Sequence, residues 1–269
     1  MSPVLLLDII VQIIDIVGEN KDTNLLKELS LVSHCFHQIC SKHLFATIEL
    51  HDADPDDHLA SSKKKFVNLL RSRPDVVNHI RILTYKVGKM HEGRPLFSLT
   101  DHKTDDELLS PILPDFLRTI PGLVCLEIDA LKLDWEALDS SLTSAFLYLM
   151  HLPTINHISL SAIHNFPLSS LPTSANLHRL DIWDMKCTFW LEEEIVVQSE
   201  MMPKIREFHT KDSSLVTTML LDAKLHNGQP AFNFMGLRRL TTCLDNKQNV
   251  RYLVQNAKLL EKLNLSVRY

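Results

Sequence analysis

The sequence predicts an α/β protein in which a short helical unit precedes an irregular solenoid with a parallel sheet. Before residue 45, isoleucine and leucine recur at three- and four-residue steps, which is the spacing of amphipathic helices. After Pro74, short segments of alternating apolar residues recur instead, and this alternation is typical of strands. We therefore expect a helical domain over residues 1–50, a connector over 51–75 and the solenoid over 76–269.

The composition argues against several classes of protein. A net charge of -5, from 28 basic and 33 acidic side chains, provides no general positive field for nucleic acid or an anionic membrane. Only six glycines are present, and none forms a phosphate-binding motif or a G-x-S-x-G motif. No Lys or Arg precedes Lys21, and the five cysteines are scattered as expected for reduced thiols. We therefore expect a cytoplasmic and/or nuclear protein with neither a nucleic-acid nor a membrane partner.

The first 45 residues contain more Leu and Ile than a small helical unit can bury. The stretch "LLLDIIVQIIDIV" predicts a first helix, with Gly18 in a left-handed conformation after its last turn. A helical wheel for 25–44 places one apolar face on Leu25, Leu29, Val32, Phe36, Ile39, Cys40 and His43. The wheel assumes an unbroken helix, and a kink near Ser33 would rotate its second half. Units of about forty residues rarely fold alone without a disulfide, a metal or a partner. We expect another protein to cover part of this surface, and packing against the rest of the chain is the alternative.

Two stretches resemble metal sites in composition but lack the necessary spacing. "LVSHCFHQICSKHLF" contains three histidines and two cysteines, yet the wheel turns His34 and His37 away from Cys40, whereas zinc needs convergent ligands. "DADPDD" (52–57) has the alternation of a calcium loop but lacks its glycine and its final glutamate. We expect an acidic surface loop, followed by an amphipathic helix that includes Lys63, and we expect no metal and no cofactor. A metal-dependent enzyme using this cluster with His51, Asp52 or Asp54 is the less favoured alternative.

The N-terminal pattern resembles the F-box, in which a leucine, a proline and an acidic residue precede an isoleucine-rich helix, a second helix and an aromatic residue. Leu6 stands at the family's proline position, Asp8 at its glutamate and Phe36 at its tryptophan. The segment through about residue 90 resembles the region after the F-box in a group of mushroom-type fungal proteins. The resemblance implies that a Skp-type adaptor contacts Leu5, Leu6, Asp8, Ile9, Ile10, Ile13, Ile14, Leu25, Leu31, Val32 and Phe36.

The C-terminal pattern resembles an irregular leucine-rich repeat. "LVCLEIDALKL" matches the repeat except that Leu131 stands at the asparagine position. Strands are predicted at 76–82, 123–133, 155–163, 177–185, 205–210, 237–242 and 259–265. Helices are predicted around 138–149 and 216–223. An ordinary α/β domain with crossover connections is the alternative architecture.

The pleat of the predicted strands identifies the side chains that face away from the core. Arginine and tryptophan are prominent in protein interfaces, so Trp183 and Arg179 are the leading candidates, although Trp183 packed against a loop is an equal alternative. The predicted target-binding residues are Glu127, His157, Arg179, Asp181, Trp183, His209 and Arg239.

Together, the two resemblances imply a non-catalytic receptor subunit of an SCF-type cullin-RING ubiquitin ligase. The F-box would dock on the Skp-type adaptor, and the solenoid would bind an unknown protein substrate for ubiquitin-dependent degradation. A scaffold protein with a degenerate F-box is the main alternative.

Overall fold

The computed structural model describes residues 3–52, 61–87, 112–173, 176–186, 196–197, 202–225, 227–243 and 247–266. Within these residues the chain is an α/β protein built around one eight-stranded parallel sheet, so the predicted fold class is confirmed at this level. The helices are α1 (Pro3–Glu19), α2 (Thr23–Ser30), α3 (His34–Leu44), α4 (Ser61–Ser72), α5 (Leu113–Arg118), α6 (Ser140–Met150), α7 (Ser214–Asp222) and α8 (Lys247–Asn256). The strands are β1 (Thr47–Asp52), β2 (Ile82–Val87), β3 (Cys125–Asp134), β4 (His157–His164), β5 (Arg179–Trp183), β6 (Val196–Val197), β7 (Glu207–Lys211), β8 (Lys224–Leu225), β9 (Arg239–Cys243) and β10 (Lys262–Ser266).

The strands of the large sheet lie side by side in the order of the chain. The spatial order is β1-β2-β3-β4-β5-β7-β9-β10, while β6 and β8 form a separate pair. Successive strands of the large sheet begin 22 to 43 residues apart. A parallel pairing requires a crossover of this length, usually including a helix, and the helices here occupy several of these connections.

The six later strand predictions are confirmed, but the first is wrong. Residues 74–78 form a 3₁₀ turn, and the strand begins only at Ile82. Pro74 suits the first turn of a helix because its fixed φ is helical and its missing N–H is not needed there. Strand β1 was not predicted, so the sheet begins at Thr47, inside the segment expected to be helical.

One face of the sheet forms the main core. The register aligns apolar side chains across six strands, and all of them are fully buried: Leu83, Leu126, Ile158, Leu180, Phe208 and Leu240. Helices add buried side chains to the same core, among them Phe66, Leu117, Phe146, Leu220 and Leu253. Because these helices and the apolar side of the sheet share one core, the alternating residues of the strands lie on the opposite face.

The three N-terminal helices have a small core of their own. Its buried members are Ile14, Leu26 and Cys40, one from each helix. No helix among the described residues combines the length and the apolar character needed to cross a bilayer.

The helical wheel for 25–44 assumed an unbroken helix, but the segment forms two helices with a break at Ser33. The chain turns between Ser30 and His34 because Ser33 starts a new helix, its hydroxyl accepting a hydrogen bond from Phe36 N at 3.3 Å. The break rotates the second half of the segment relative to the first. It leaves Leu31 and Val32 in an exposed turn.

Besides the shared core, polar contacts join α1 to α3 near the C-terminal end of α1. Asp15 Oδ1 lies 2.6 Å from Lys42 Nζ and 2.7 Å from His43 Nε2. Gly18 was expected in a left-handed conformation, but it lies inside α1, and the positive φ (57°) belongs to Lys21. The glycine has a packing role instead, because a Cβ atom at this position would collide with the His43 ring.

Candidate functional site

The outer side of the three-helix unit exposes large apolar residues. We define the N-terminal apolar surface as Leu7, Ile9, Ile13, Ile16, Leu25, Leu31 and Val32, all of which are exposed. Ile9, Ile13 and Ile16 are spaced by three and four residues in α1 and therefore share one helix face. Ile13 is 53% exposed and Leu31 is 86% exposed, so about half of Ile13 and most of Leu31 remain in contact with solvent.

The predicted adaptor-binding residues are distributed unevenly over this unit. Asp8 is exposed, Ile10 and Phe36 are half-buried, and Leu5 and Leu6 lie in α1 with side chains outside the described part of the structure. Ile14 requires a correction, because its side chain is 1% exposed and belongs to the inner core. It lies one position from Ile13, and the 100° step of the helix turns it inward.

The opposite face of the large sheet, which we call the polar face, carries most of the predicted target-binding residues. Because neighbouring parallel strands are in register, equivalent positions form rows across the sheet. One row contains Cys125, His157, Arg179, Glu207 and Arg239. The next row contains Glu127, Ser159, Asp181, His209 and Thr241.

Asp181 lies at the centre of the polar face and is held by two neighbours. Arg179 Nη2 donates to Asp181 Oδ2 at 2.8 Å, and His157 Nε2 donates to the same oxygen at 3.0 Å. Burial alone would raise the pKa of Asp181, but the hydrogen bonds from His157 and Arg179 outweigh it and hold that pKa below its ordinary value. The carboxylate is therefore ionised at neutral pH. Asp181 is only 3% exposed, so it positions its neighbours from within and is not the accessible contact residue that the pleat predicted.

A second polar cluster continues the face toward the later strands. Glu207 lies between two cations, with Oε1 3.2 Å from Arg239 Nη1 and Oε2 3.9 Å from Arg179 Nη1. The His209 Nδ1 atom lies 2.8 Å from Thr241 Oγ1, and burial lowers the pKa of His209. Arg179 and Arg239 keep much of their side chains in solvent, whereas His209 is largely covered. The two arginines are therefore accessible cations on this part of the face.

Cys125, Glu127 and His157 meet at the other end of the polar face. Cys125 Sγ lies 2.9 Å from His157 Nδ1 and 3.7 Å from Glu127 Oε1. Thr84 Oγ1 donates to the second oxygen of Glu127 at 2.9 Å. The cluster was not predicted, because the metal motifs considered in the sequence have their ligands close together along the chain. The available signal was the alignment of the repeated segments, in which 125 and 157 occupy the same position.

The series Cys125, His157 and Asp181 has the order of a nucleophilic triad, but the thiol is poorly suited to attack. Burial raises the pKa of the Cys125 thiol to about 12, and the neighbouring Glu127 carboxylate adds to this shift. Reactive cysteines need the opposite shift, because the thiolate is the nucleophile. The raised pKa of Cys125 therefore disfavours a thiolate nucleophile at this position.

The histidine-rich helix α3 does not bring its potential ligands to one point. Cys40 is buried as predicted, His43 contacts Asp15, and His37 Nε2 lies 3.1 Å from Arg73 Nη1. Among the described residues, one group of three His, Cys, Asp or Glu side chains lies close enough together to hold a metal ion, and it consists of Cys125, Glu127 and His157. Residues 53–57 of the acidic loop lie outside the described residues. The cluster on which the enzyme alternative depended is therefore not assembled in α3.

Comparison with protein-family models and with curated proteins finds no match for this chain.

Proposed function

We propose that this protein is a non-catalytic substrate receptor of an SCF-type cullin-RING ubiquitin ligase in the cytoplasm and/or nucleus. Helices α1–α3 form an F-box that docks on a Skp-type adaptor, and the remaining chain forms a leucine-rich-repeat-like solenoid that binds a protein target. The observation that carries this proposal is the N-terminal apolar surface, seven large apolar side chains exposed on a unit with three buried core residues.

The exposed side chains of α1 carry an energetic cost. Each Leu or Ile left in water forgoes about 1.5–3 kcal/mol of burial free energy. Ile9, Ile13 and Ile16 form a continuous helix face that is about half exposed. A contiguous exposed apolar area of this kind marks a protein-interaction site in soluble proteins. The F-box resemblance identifies the partner as a Skp-type adaptor.

The arrangement of the sheet supports the solenoid assignment. Its strands follow chain order, and its helices contribute to a single core on one side. In repeat proteins the opposite side of such a sheet is the usual binding surface. Here that side presents Arg179, Arg239 and the half-buried Trp183, which are residue types that dominate interface energies. A target with exposed carboxylates fits the two arginines.

The proposed mechanism is proximity. A receptor that holds a target and an adaptor together raises the effective concentration of target lysines near the conjugating enzyme. The receptor itself makes and breaks no covalent bond.

The test is Ile13→Asp, which places a charge in the N-terminal apolar surface. We expect adaptor binding, measured by calorimetry with purified Skp-type adaptor, to weaken by about tenfold or more. Gln12→Asp is the matched control, because it adds the same charge at the adjacent exposed position of α1 and should bind as the wild type does. Circular dichroism checks that both variants are folded. Unchanged binding of Ile13→Asp, or no binding by the wild type, would contradict the proposal.

A scaffold protein with a degenerate F-box is a second candidate function. It is favoured by Leu6, which stands at the position where the family has proline. Proline fits the first turn of a helix. Helix α1 begins at Pro3, so Leu6 is its fourth residue. If the F-box is degenerate, Leu6→Pro should increase adaptor binding sharply from a weak starting level. If the F-box functions as it stands, the same substitution should change the affinity little.

A further inference from the structure

We propose that Cys125, Glu127 and His157 bind a single Zn²⁺ ion on the polar face of the sheet. This inference is independent of the ubiquitin-ligase proposal, and it departs from the sequence expectation that the chain binds no metal. It places the ion between β3 and β4, where the register brings the three side chains together.

The donor set suits zinc in particular. Zn²⁺ is bound by cysteine sulfur, histidine nitrogen and carboxylate oxygen, and sites with three protein ligands leave a fourth position for water. Magnesium and calcium prefer all-oxygen sites and do not select a thiolate. One thiolate and one carboxylate would neutralise the charge of the bound ion.

The distances from the Cys125 sulfur to the other two potential ligands can be compared with those that a zinc ion requires. The three potential ligand atoms lie within 4.8 Å of one another. Zinc bond lengths at a tetrahedral angle require sulfur and the lighter ligand atoms to be about 3.5 Å apart. The distance from Cys125 Sγ to Glu127 Oε1, 3.7 Å, is close to this value. The distance from Cys125 Sγ to His157 Nδ1, 2.9 Å, would have to widen by about 0.6 Å.

The surrounding groups orient two of the three ligands. The Asp181 carboxylate can only accept a hydrogen bond, so His157 Nε2 carries the proton, and in the neutral ring the Nδ1 lone pair is directed at Cys125. A carboxylate behind the metal-binding histidine is a recurrent feature of zinc sites. Thr84 donates a hydrogen bond to one carboxylate oxygen of Glu127, and the other oxygen of Glu127 lies near the sulfur of Cys125.

Binding exchanges a proton for the metal. The Cys125 S–H bond breaks, a sulfur–zinc bond forms, and the proton passes to the buffer. No oxidant or reductant is required, because the sulfur does not change its oxidation state.

The experiment titrates the purified full-length protein with Co²⁺ and then with Zn²⁺. Co²⁺ reports the ligands through its absorption, since a thiolate ligand produces a charge-transfer band in the near ultraviolet. We expect one equivalent of Co²⁺ to produce this band and Zn²⁺ to abolish it. Absence of the band in the folded wild-type protein would overturn the proposal without any variant.

The variants then locate the ion. Cys125→Ser should abolish the band, whereas Cys243→Ser should preserve it, because Cys243 lies in β9 beside Ser266 and away from the cluster. Asp181→Asn should weaken Zn²⁺ binding by about 10–100-fold while keeping the band at saturating Co²⁺. Circular dichroism shows whether each variant is folded. A band that persists in folded Cys125→Ser protein would place the metal elsewhere and overturn the assignment.

Discussion

The three-helix unit and the sheet region differ in how completely they bury their apolar side chains. The sheet region keeps most of its strand apolar side chains on one face and covers them with its own helices, and its other face is largely polar. The edge strand β10 is the exception, because Leu263 and Leu265 are exposed. The three-helix unit buries one residue from each helix completely and leaves seven large apolar side chains exposed. The difference teaches that burial in the sheet region comes mainly from its own helices, whereas the small core of the helical unit leaves a larger share of its apolar side chains exposed.

The largest effect is expected for Phe146→Ala in α6, which tests the burial of the main core. Phe146 is fully buried, and its ring meets Tyr85 edge-on at 5.0 Å between centroids. We expect the free energy of unfolding to fall by about 3–5 kcal/mol, because the cavity removes both burial and contacts. Urea denaturation followed by tryptophan fluorescence measures the change. Tyr148→Ala on the exposed side of the same helix is the control, and equal losses in both variants would show that the core is placed wrongly.

The next test compares Ile14→Ala with Ile13→Ala in α1. Ile14→Ala should lower the free energy of opening of α1–α3 by about 2–4 kcal/mol, because it empties the centre of the small core. Ile13→Ala should change it by less than about 0.5 kcal/mol, because the side chain is already exposed. Hydrogen exchange of the amides in α1–α3 measures both values. Similar effects of the two substitutions would contradict the division of α1 into an inner and an outer face.

The smallest expected effect concerns pH and the contact between α1 and α3. The hydrogen bond from Lys42, followed by that from His43, holds the pKa of Asp15 below its ordinary value. A carboxyl group with a lowered pKa stabilises the folded state above its ordinary pKa of about 4 and loses this contribution as the pH falls through the lower value. Because Asp15 is partly solvated, we expect only about 0.2–1 kcal/mol.

Asp15→Asn provides the measurement for this contact. Its unfolding free energy should be slightly lower than that of the wild type at pH 7, and the two proteins should converge below about pH 4. If the difference in unfolding free energy between the two proteins stayed constant from pH 7 to below about pH 4, the charge of Asp15 would not contribute to stability.

The sequence predicts the sheet better than it predicts the helical unit. Alternation in "LVCLEIDALKL" and its later counterparts locates strands because every second side chain must enter one core. A kink near Ser33 was an open alternative for the helical wheel, but a serine within an amphipathic pattern does not by itself reveal that it caps a new helix. Ile14 was misplaced because the apolar stripe of α1 is wide, and only packing decides which residues lie inside.

The cluster on the polar face could not be found by spacing along the chain. Cys125 and His157 are 32 residues apart and become neighbours only through the register of β3 and β4. The pleat predicted correctly that Asp181 leaves the core, but hydrogen bonds from Arg179 and His157 then cover it. Such local coverage depends on side-chain conformations that a pattern does not contain.

The strands of the large sheet lie in the order of the chain, and this order has a consequence for how the protein folds. Each strand of the large sheet pairs with the preceding large-sheet strand, so no pairing has to wait for a distant segment. The entropy of closing each connection grows only slowly with its length, and nearest-neighbour pairing permits growth from any nucleus. A force applied to the two ends of the chain would accordingly peel strands from the edges in succession.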